Sequence, residues 1–190
     1  MLLNTPNLIT FSRIILIPLI VGIYYLPDQW LSFSAKNTIA CAIFIVAAVT
    51  DWLDGYLARR LNQMSAFGAF LDPVADKLIV VGALVVLLYL GRVDPLVALI
   101  IVGREIAISA LREWMAALGQ GKSMTVAYIG KLKTTSQLIA IPLLLYHDPL
   151  FDLVDCQFLG TILINVAAVL TVISMLYYLR KALPHVSSRG

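Results

Sequence analysis

Long apolar stretches recur from residue 8 to residue 182, and no polar block between them is large enough to fold alone. Hydrophobic residues make up 61% of the chain and charged residues only 13%, whereas soluble domains contain roughly 45–50% and about 25%. This composition excludes an ordinary soluble protein. We therefore predict an all-α polytopic membrane protein with a single domain over residues 1–190 and no separate soluble domain.

Six segments approach the roughly 20 apolar residues that a spanning helix needs: 8–25, 37–59, 66–90, 94–118, 124–146 and 157–180. The purely apolar parts of the second and third segments, 38–50 and 78–90, are each 13 residues long. They reach across a bilayer only if the neighbouring charged residues continue the helices. The charged ends of four segments therefore belong to the spans themselves.

The basic residues predict the orientation, because short cytoplasmic loops carry the excess of Lys and Arg. If the N-terminus is cytoplasmic, Lys36 and Arg92 are the only two of the 14 basic residues on the outer side. We predict a six-helix bundle with both termini in the cytoplasm. The charged helix ends then converge on one cavity at the cytoplasmic side.

Four aspartates lie inside the second and third segments, where an ionisable side chain is costly and indicates a functional site. Asp51 and Asp54 share one face of the second helix, and Asp72 and Asp76, one turn apart, share one face of the third. We expect these two acidic stripes to face each other on consecutive antiparallel helices. Clustered carboxylates repel unless a cation compensates them, and a ligand set made only of oxygen suits Mg²⁺, Mn²⁺ or Ca²⁺.

Small residues follow the same two faces, at Gly55, Ala58 and Gly68. Glycine inside a helix costs roughly 0.5–1 kcal/mol relative to alanine, so we expect a ligand to approach the backbone there. Arg59, just beyond, could hold a phosphate. The alternative is that the small residues serve close helix packing and that the aspartates are solvated helix ends paired with nearby basic residues.

Residues 51–76 match D-x2-D-G-x2-A-R-x8-G-x3-D-x3-D at every fixed position. This pattern resembles the CDP-alcohol phosphotransferase family, six-helix membrane enzymes that displace CMP from a CDP-linked lipid or alcohol. The resemblance implies two divalent metal ions, Mg²⁺ or Mn²⁺, bound by Asp51, Asp54, Asp72 and Asp76. It also implies that Asp76 is the general base for the acceptor hydroxyl, that Gly55 and Ala58 make room for the cytidine, and that Arg59 contacts the pyrophosphate.

A second group of basic residues is predicted at the same membrane depth. Arg104 and Arg112 are eight positions apart on one side of the fourth segment, and Lys131 and Lys133 lie near the start of the fifth. Guanidinium and ammonium groups are the usual ligands of phosphate, so this group could bind a second phosphate. The alternative is that these basic residues only reflect the excess of Lys and Arg on the cytoplasmic side and pair with neighbouring glutamates.

Segments 5–13, 103–115 and 130–135 narrow the resemblance to bacterial members of the family that use CDP-diacylglycerol as donor and sn-glycerol 3-phosphate as acceptor. Two groups of substrate contacts are implied. The donor contacts Gly55, Ala58, Arg59, Gly68, Asn7, Thr10 and Arg13, and the acceptor phosphate contacts Arg104, Arg112, Lys131 and Lys133. A homodimer in the bacterial inner membrane, with its site facing the cytoplasm, is also implied.

Two alternatives remain open at this point: a family member with another acceptor, such as inositol phosphate or a lipid, and a divalent-cation transporter. Among the other polar residues in the apolar segments, Gln137 and Asn165 are predicted to form hydrogen bonds between helices. Tyr177 and Tyr178 are predicted to be interfacial aromatics.

Overall fold

A computed structural model of the chain describes residues 5–61, 66–117, 119, 128–150 and 153–187. The side chains at 5–9, 52–61, 66, 67, 69, 128, 129, 181, 182 and 184–187 are outside that description. The described residues form six α-helices and no strand, which confirms the all-α prediction. The helices are α1 (Thr5–Gly22), α2 (Phe33–Leu61), α3 (Ala66–Tyr89), α4 (Pro95–Ala117), α5 (Tyr128–Tyr146) and α6 (Cys156–Ser187).

Several helix ends have capping residues that the sequence supplies. Asp94 accepts a hydrogen bond from the Leu96 backbone N–H at 2.8 Å and so caps the start of α4. Asp155 caps α6 in the same way, with the Phe158 N–H at 2.9 Å. Gly91 ends α3 with a φ of 67°, a left-handed conformation that glycine adopts without strain. The starts of α4 and α6 and the end of α3 therefore lie where local chemistry favours them.

Two of the described helices are long and apolar enough to cross a membrane by length and composition. They are Phe33–Asp51, with 19 residues, and Cys156–Arg180, with 25 residues. A shorter apolar stretch covers Thr10–Tyr25. The number of membrane crossings and the side on which the termini lie stay predictions.

The helices pack around an apolar core that includes Phe44 of α2, Leu84 of α3, Ile101 of α4 and Leu144 of α5, each at most 1% exposed. The most extensive contact is between α5 and α6, and α1 packs against both α2 and α3. Direct contact between α2 and α3 is slight. Helix α1 lies alongside both helices and contributes to the place where the acidic stripes of α2 and α3 meet.

Two glycines allow close helix approach. A Cβ added at Gly82 of α3 would lie 2.8 Å from the Ile17 side chain of α1. A Cβ at Gly160 of α6 would lie 2.8 Å from the Leu144 side chain and 3.3 Å from the Ala140 carbonyl oxygen of α5. Since real Cβ atoms rarely come this close to another heavy atom, larger residues would force α1 from α3 and α6 from α5.

The basic residues predicted for the outer side, Lys36 and Arg92, are both buried. The Arg92 guanidinium donates to the carbonyl oxygens of Leu144 and Leu145 at 3.0 and 2.9 Å and to Asn37 Oδ1 at 3.0 Å. These carbonyls belong to the last turn of α5, where the helix leaves acceptors without partners. Arg92 therefore caps α5 at the end of the bundle opposite the aspartates.

Candidate functional site

Three of the four aspartates surround one guanidinium, that of Arg13 on α1. Arg13 Nη1 donates to Asp51 Oδ1 at 2.7 Å and also to Asp76 Oδ1, and Nη2 lies 3.6 Å from Asp72 Oδ1. The Arg13 side chain is 1% exposed, whereas those of Asp51, Asp72 and Asp76 are 48%, 46% and 45% exposed. The carboxylates therefore have one side on a buried cation and the other open to small polar molecules.

Thr10 joins this cluster from one turn earlier on α1, where its hydroxyl donates to Asp72 Oδ1 at 2.5 Å. Residues three apart on a helix share a face, so α1 presents Thr10 and Arg13 together. The sequence assigned both residues to the donor headgroup. The structure brings them onto the aspartates, a contact that spacing alone could not indicate because it joins separate helices.

The donor set suits a hard divalent cation, since it consists only of carboxylate oxygens. Among the side chains that the structure describes, no three acidic, His or Cys residues are grouped closely enough to hold an ion. The Arg13 guanidinium lies at the point where Asp51, Asp72 and Asp76 converge, and the Asp54 side chain is outside the description. The chemistry of these oxygen donors therefore suits a divalent cation, but in the structure a guanidinium lies where the carboxylates converge.

A cavity of about 260 Å³ adjoins this cluster. Asp51 of α2 and Asp76 of α3 line it together with Glu105 of α4 and Lys133 of α5. Apolar side chains, among them that of Phe44, form much of the remaining wall. Because Arg13 of α1 also lines the cavity, acidic and basic groups from five helices share one space large enough for a small phosphorylated molecule.

The second predicted cluster is assembled around Glu105. Lys133, which is 1% exposed, donates to the Glu105 carboxylate. Arg104 Nη1 lies 3.4 Å from Glu105 Oε1, and its Nη2 lies 3.4 Å from Ser174 Oγ on α6. Two of the four predicted phosphate ligands are therefore close together, and a glutamate from the same helix as Arg104 holds them.

The other two predicted phosphate ligands lie apart from this pair. Arg112 Nη2 is 3.4 Å from the Tyr178 hydroxyl, and its guanidinium carbon is 5.4 Å from the centre of the Tyr178 ring. Tyr178 is fully buried, so the prediction of an interfacial aromatic is wrong for it. Lys131 is exposed and outside the cavity wall. Residues two apart on a helix point about 200° apart, so Lys131 and Lys133 cannot both face the cavity.

Two guanidinium nitrogens on α4 are buried donors without partners among the described residues. The Nε atoms of Arg104 and Arg112 have no hydrogen-bond acceptor among the described residues. A buried N–H without an acceptor is unfavourable and uncommon in proteins. These nitrogens can therefore donate to the oxygens of an anionic ligand.

Five predicted site residues, Asn7, Asp54, Gly55, Ala58 and Arg59, have side chains outside the description. Their backbones are helical, with Asn7 on α1 and the other four on the last turns of α2. Gly68 is buried on the first turn of α3, four residues before Asp72.

Two polar residues within the apolar segments differ from the sequence prediction. Asn165 donates to the Thr161 carbonyl oxygen of its own helix at 2.7 Å, so the prediction of a hydrogen bond between helices is wrong for this side chain. Gln137 is 4% exposed and lines the cavity, and its Oε1 has no partner among the described residues. Its position one turn after Lys133 on α5 was the signal that could have assigned it to the site.

An apolar groove continues from the cavity between α2 and α5. Its lining consists of Phe44, Ile45, Ala48, Val49 and Leu138, of which Phe44, Ala48 and Leu138 also line the cavity. Ile45 and Val49 are 46% and 57% exposed on the bundle surface. The polar cavity therefore has an apolar exit at its side.

Comparison with known proteins adds an independent finding. Residues 3–173 match the family described as CDP-alcohol phosphatidyltransferase. The chain is also 50% identical over 181 residues to curated proteins from Shigella flexneri serotype 5b (strain 8401) and Escherichia coli (strain K12). These alignments cover 94% of this chain and 94% of each relative. Both relatives are named CDP-diacylglycerol–glycerol-3-phosphate 3-phosphatidyltransferase.

Proposed function

The chain belongs to the CDP-alcohol phosphatidyltransferase family, and we propose that it transfers a phosphatidyl group from CDP-diacylglycerol to sn-glycerol 3-phosphate. The products are CMP and phosphatidylglycerophosphate, a step of acidic phospholipid synthesis. Relatives that are 50% identical over 94% of the chain are named for this activity. The chain is therefore a transferase and not the divalent-cation transporter that the cluster of aspartates alone also allowed. The structural observation that most strongly supports the proposal is the single cavity shared by Asp51, Asp76, Lys133 and Glu105.

Asp76 is the proposed general base. Its carboxylate lines the cavity and is 45% exposed, so an acceptor hydroxyl can reach it. Asp76 takes the proton of that hydroxyl while the oxygen bonds to the phosphorus of the phosphatidyl group. The bond from this phosphorus to the bridging pyrophosphate oxygen breaks, and CMP leaves with that oxygen.

Asp51, Asp54, Asp72 and Asp76 are the proposed ligands of divalent cations, two Mg²⁺ or Mn²⁺ ions. When bound, such ions would neutralise charge that develops on the pyrophosphate. The convergence of three of these carboxylates on one guanidinium supports this assignment, because it puts anionic oxygens around a common point.

Arg13 is proposed to exchange partners. In the structure it neutralises the aspartates, but carboxylates that bind metal ions no longer need that contact. The guanidinium can then donate to the donor's phosphate oxygens, for which its planar fork is suited. This movement reconciles the donor role predicted for Arg13 and Thr10 with their contacts to aspartates. Asn7, Gly55, Ala58, Arg59 and Gly68 stay predicted donor contacts.

Arg104 and Lys133 are the proposed ligands of the acceptor phosphate, with Arg112 as a further donor. The buried Nε atoms of Arg104 and Arg112 without acceptors support this assignment, as does the pairing of Lys133 with Glu105 beside the cavity. An acceptor without a phosphate would leave these cations without an anionic ligand. We assign the exposed Lys131 only a long-range attraction for the acceptor, which salt weakens.

The apolar helices and the family make the chain a membrane protein. We propose that it crosses the bacterial inner membrane six times, with both termini and the site on the cytoplasmic side. The apolar groove between α2 and α5 supports sideways access for a donor with acyl chains. The half-exposed carboxylates support access of a soluble acceptor from water. A homodimer stays a prediction of the family resemblance.

A reconstituted protein offered one radiolabelled acceptor at a time tests the reaction. With CDP-diacylglycerol as donor, we expect labelled lipid and CMP with sn-glycerol 3-phosphate and none with inositol phosphate or serine. Asp76→Asn should abolish CMP release, whereas Glu113→Gln, the same change at an exposed position of α4, should not. Efficient transfer to another acceptor would contradict the proposed substrate.

A further inference from the structure

We propose that Gln137 recognises the acceptor: its side-chain carbonyl oxygen accepts a hydrogen bond from the secondary hydroxyl of glycerol 3-phosphate. Gln137 would then be a specificity-determining residue, one that separates this acceptor from phosphates that lack the second hydroxyl. This inference rests on the proposed function and extends it to a residue outside the motif of aspartates.

The observation that carries the inference is a buried acceptor without a donor. Gln137 is 4% exposed, and its Oε1 has no hydrogen-bond partner among the described residues. The same side chain lines the cavity that holds Asp76 and Lys133. Buried carbonyl oxygens are nearly always paired in native proteins, so this one is expected to be paired by a molecule that enters the cavity.

The neighbouring residues of α5 on the cavity wall do not supply the missing donor. The Thr134 hydroxyl already donates to the Gly130 carbonyl oxygen at 2.9 Å. The Lys133 ammonium pairs with Glu105, and Leu138 has no polar side-chain atom. A hydroxyl of the substrate is a donor of suitable size and chemistry.

The position of Gln137 favours the acceptor as the source of that hydroxyl. Gln137 follows Lys133 by four residues, so the two share a face of α5 and are separated by about one turn, roughly 6 Å along the axis. Glycerol 3-phosphate is about as long as one helical turn. A phosphate at the level of Lys133 therefore brings its hydroxyls to the level of Gln137.

The two acceptor hydroxyls have different chemistry. The primary hydroxyl is the nucleophile and must face the base, Asp76. The secondary hydroxyl lies on the adjacent carbon and keeps its proton throughout the reaction, so it can donate to a neutral acceptor. Gln137 lines the same cavity, and rotation of its terminal amide, a soft torsion, would turn Oε1 toward that hydroxyl.

The test compares two acceptors in two proteins. The second acceptor is 3-hydroxypropyl phosphate, which has the phosphate and the primary hydroxyl but lacks the secondary one. We expect wild-type kcat/KM to be about 10-fold or more higher for glycerol 3-phosphate, the order of one buried hydrogen bond. Gln137→Met, which keeps the side-chain length but removes the acceptor, should lower this ratio to near one by losing activity only on glycerol 3-phosphate.

Further variants separate recognition from structure. Gln137→Glu keeps an acceptor oxygen at the same place and should retain much of the preference. Gln157→Met makes the matched change at an exposed residue of α6 and should leave the ratio unchanged. Equal losses of Gln137→Met on both acceptors, or an unchanged ratio, would overturn the assignment.

A second pair of donors identifies the source of the hydroxyl. The ribose of CDP-diacylglycerol also has hydroxyls, so the same proteins are assayed with the 2′-deoxy donor. A donor preference that Gln137→Met removes would assign the contact to the ribose and overturn the proposal. If the wild-type protein transfers nothing to glycerol 3-phosphate, the proposed function itself fails, a result that the wild-type assay alone identifies.

Discussion

Replacing Arg13 by methionine should weaken the fold without divalent cations and strengthen the binding of those cations. In the structure the guanidinium contacts Asp51 and Asp76 within hydrogen-bond distance and lies 3.6 Å from Asp72. A hydrogen bond to a charged group contributes about 1.5–3 kcal/mol, and the lower end applies because these carboxylates are nearly half exposed. Loss of two such bonds lowers the free energy of unfolding by about 3 kcal/mol.

The same contacts compete with metal binding, because an ion must displace Arg13 from the carboxylates. A factor of ten in affinity corresponds to about 1.4 kcal/mol. Removing the competitor should therefore tighten Mn²⁺ binding by about 10- to 100-fold. CMP release should nevertheless fall, because Arg13 is also the proposed ligand of the donor phosphate.

Thermal unfolding in detergent, with EDTA and across a Mn²⁺ titration, measures both effects. Arg13→Met should unfold at a lower temperature than wild type in EDTA and gain more from Mn²⁺, since the free energy by which a ligand stabilises the folded state grows with the logarithm of its affinity. Arg180→Met, at an exposed position of α6, is the control. Unchanged or weaker Mn²⁺ binding by Arg13→Met would refute the idea that guanidinium and metal share one place.

Three further predictions concern the other charged contacts. Glu105→Gln leaves the Lys133 ammonium buried without its counter-charge and should destabilise the protein by about 3–5 kcal/mol; adding Lys133→Met should recover most of this stability without restoring activity, and no recovery would contradict the pairing. Lys133→Met alone should raise KM for glycerol 3-phosphate by about 10-fold or more, whereas Lys131→Met should change this KM less than about twofold. Equal effects of the two variants in steady-state assays would contradict Lys133 as the ligand of the acceptor phosphate. Arg92→Met leaves the carbonyl oxygens of Leu144 and Leu145 without this donor, whereas Asn37 Oδ1 keeps its bond from the Tyr24 hydroxyl. It should lower stability in a detergent unfolding assay by about 2–3 kcal/mol, with kcat of the folded fraction unchanged; an unaltered unfolding temperature would argue against the cap on α5.

Helices, and the faces that residues share on them, were predicted well from the sequence because they depend on residues close together in the chain. The apolar runs predicted six helices because each is long enough to form one. The i, i+4 spacing of Asp72 and Asp76 put both on one face of α3. Helical periodicity also argues against one prediction. Lys131 and Lys133 are two residues apart and point in different directions, so they cannot both bind the acceptor phosphate.

Contacts between distant helices were beyond what spacing can indicate. The sequence gives no sign that α1 packs against both α2 and α3, so Arg13 was assigned to the donor rather than to Asp51 and Asp76. Tyr178 was assigned to the membrane interface because it lies near a helix end, but Arg112 and the α4–α6 contact bury it. Gln137 was predicted to pair helices, because spacing cannot reveal a cavity that residues from all of α1 to α5 line together.

The most direct test of the proposed site is CMP release by the purified protein with CDP-diacylglycerol and glycerol 3-phosphate, in EDTA and after addition of Mg²⁺ or Mn²⁺. We predict no release in EDTA, recovery with either ion for wild type and Glu113→Gln, and no recovery for Asp76→Asn. Full turnover in EDTA, or normal turnover by Asp76→Asn, would contradict a reaction carried out by these carboxylates and their metal ions.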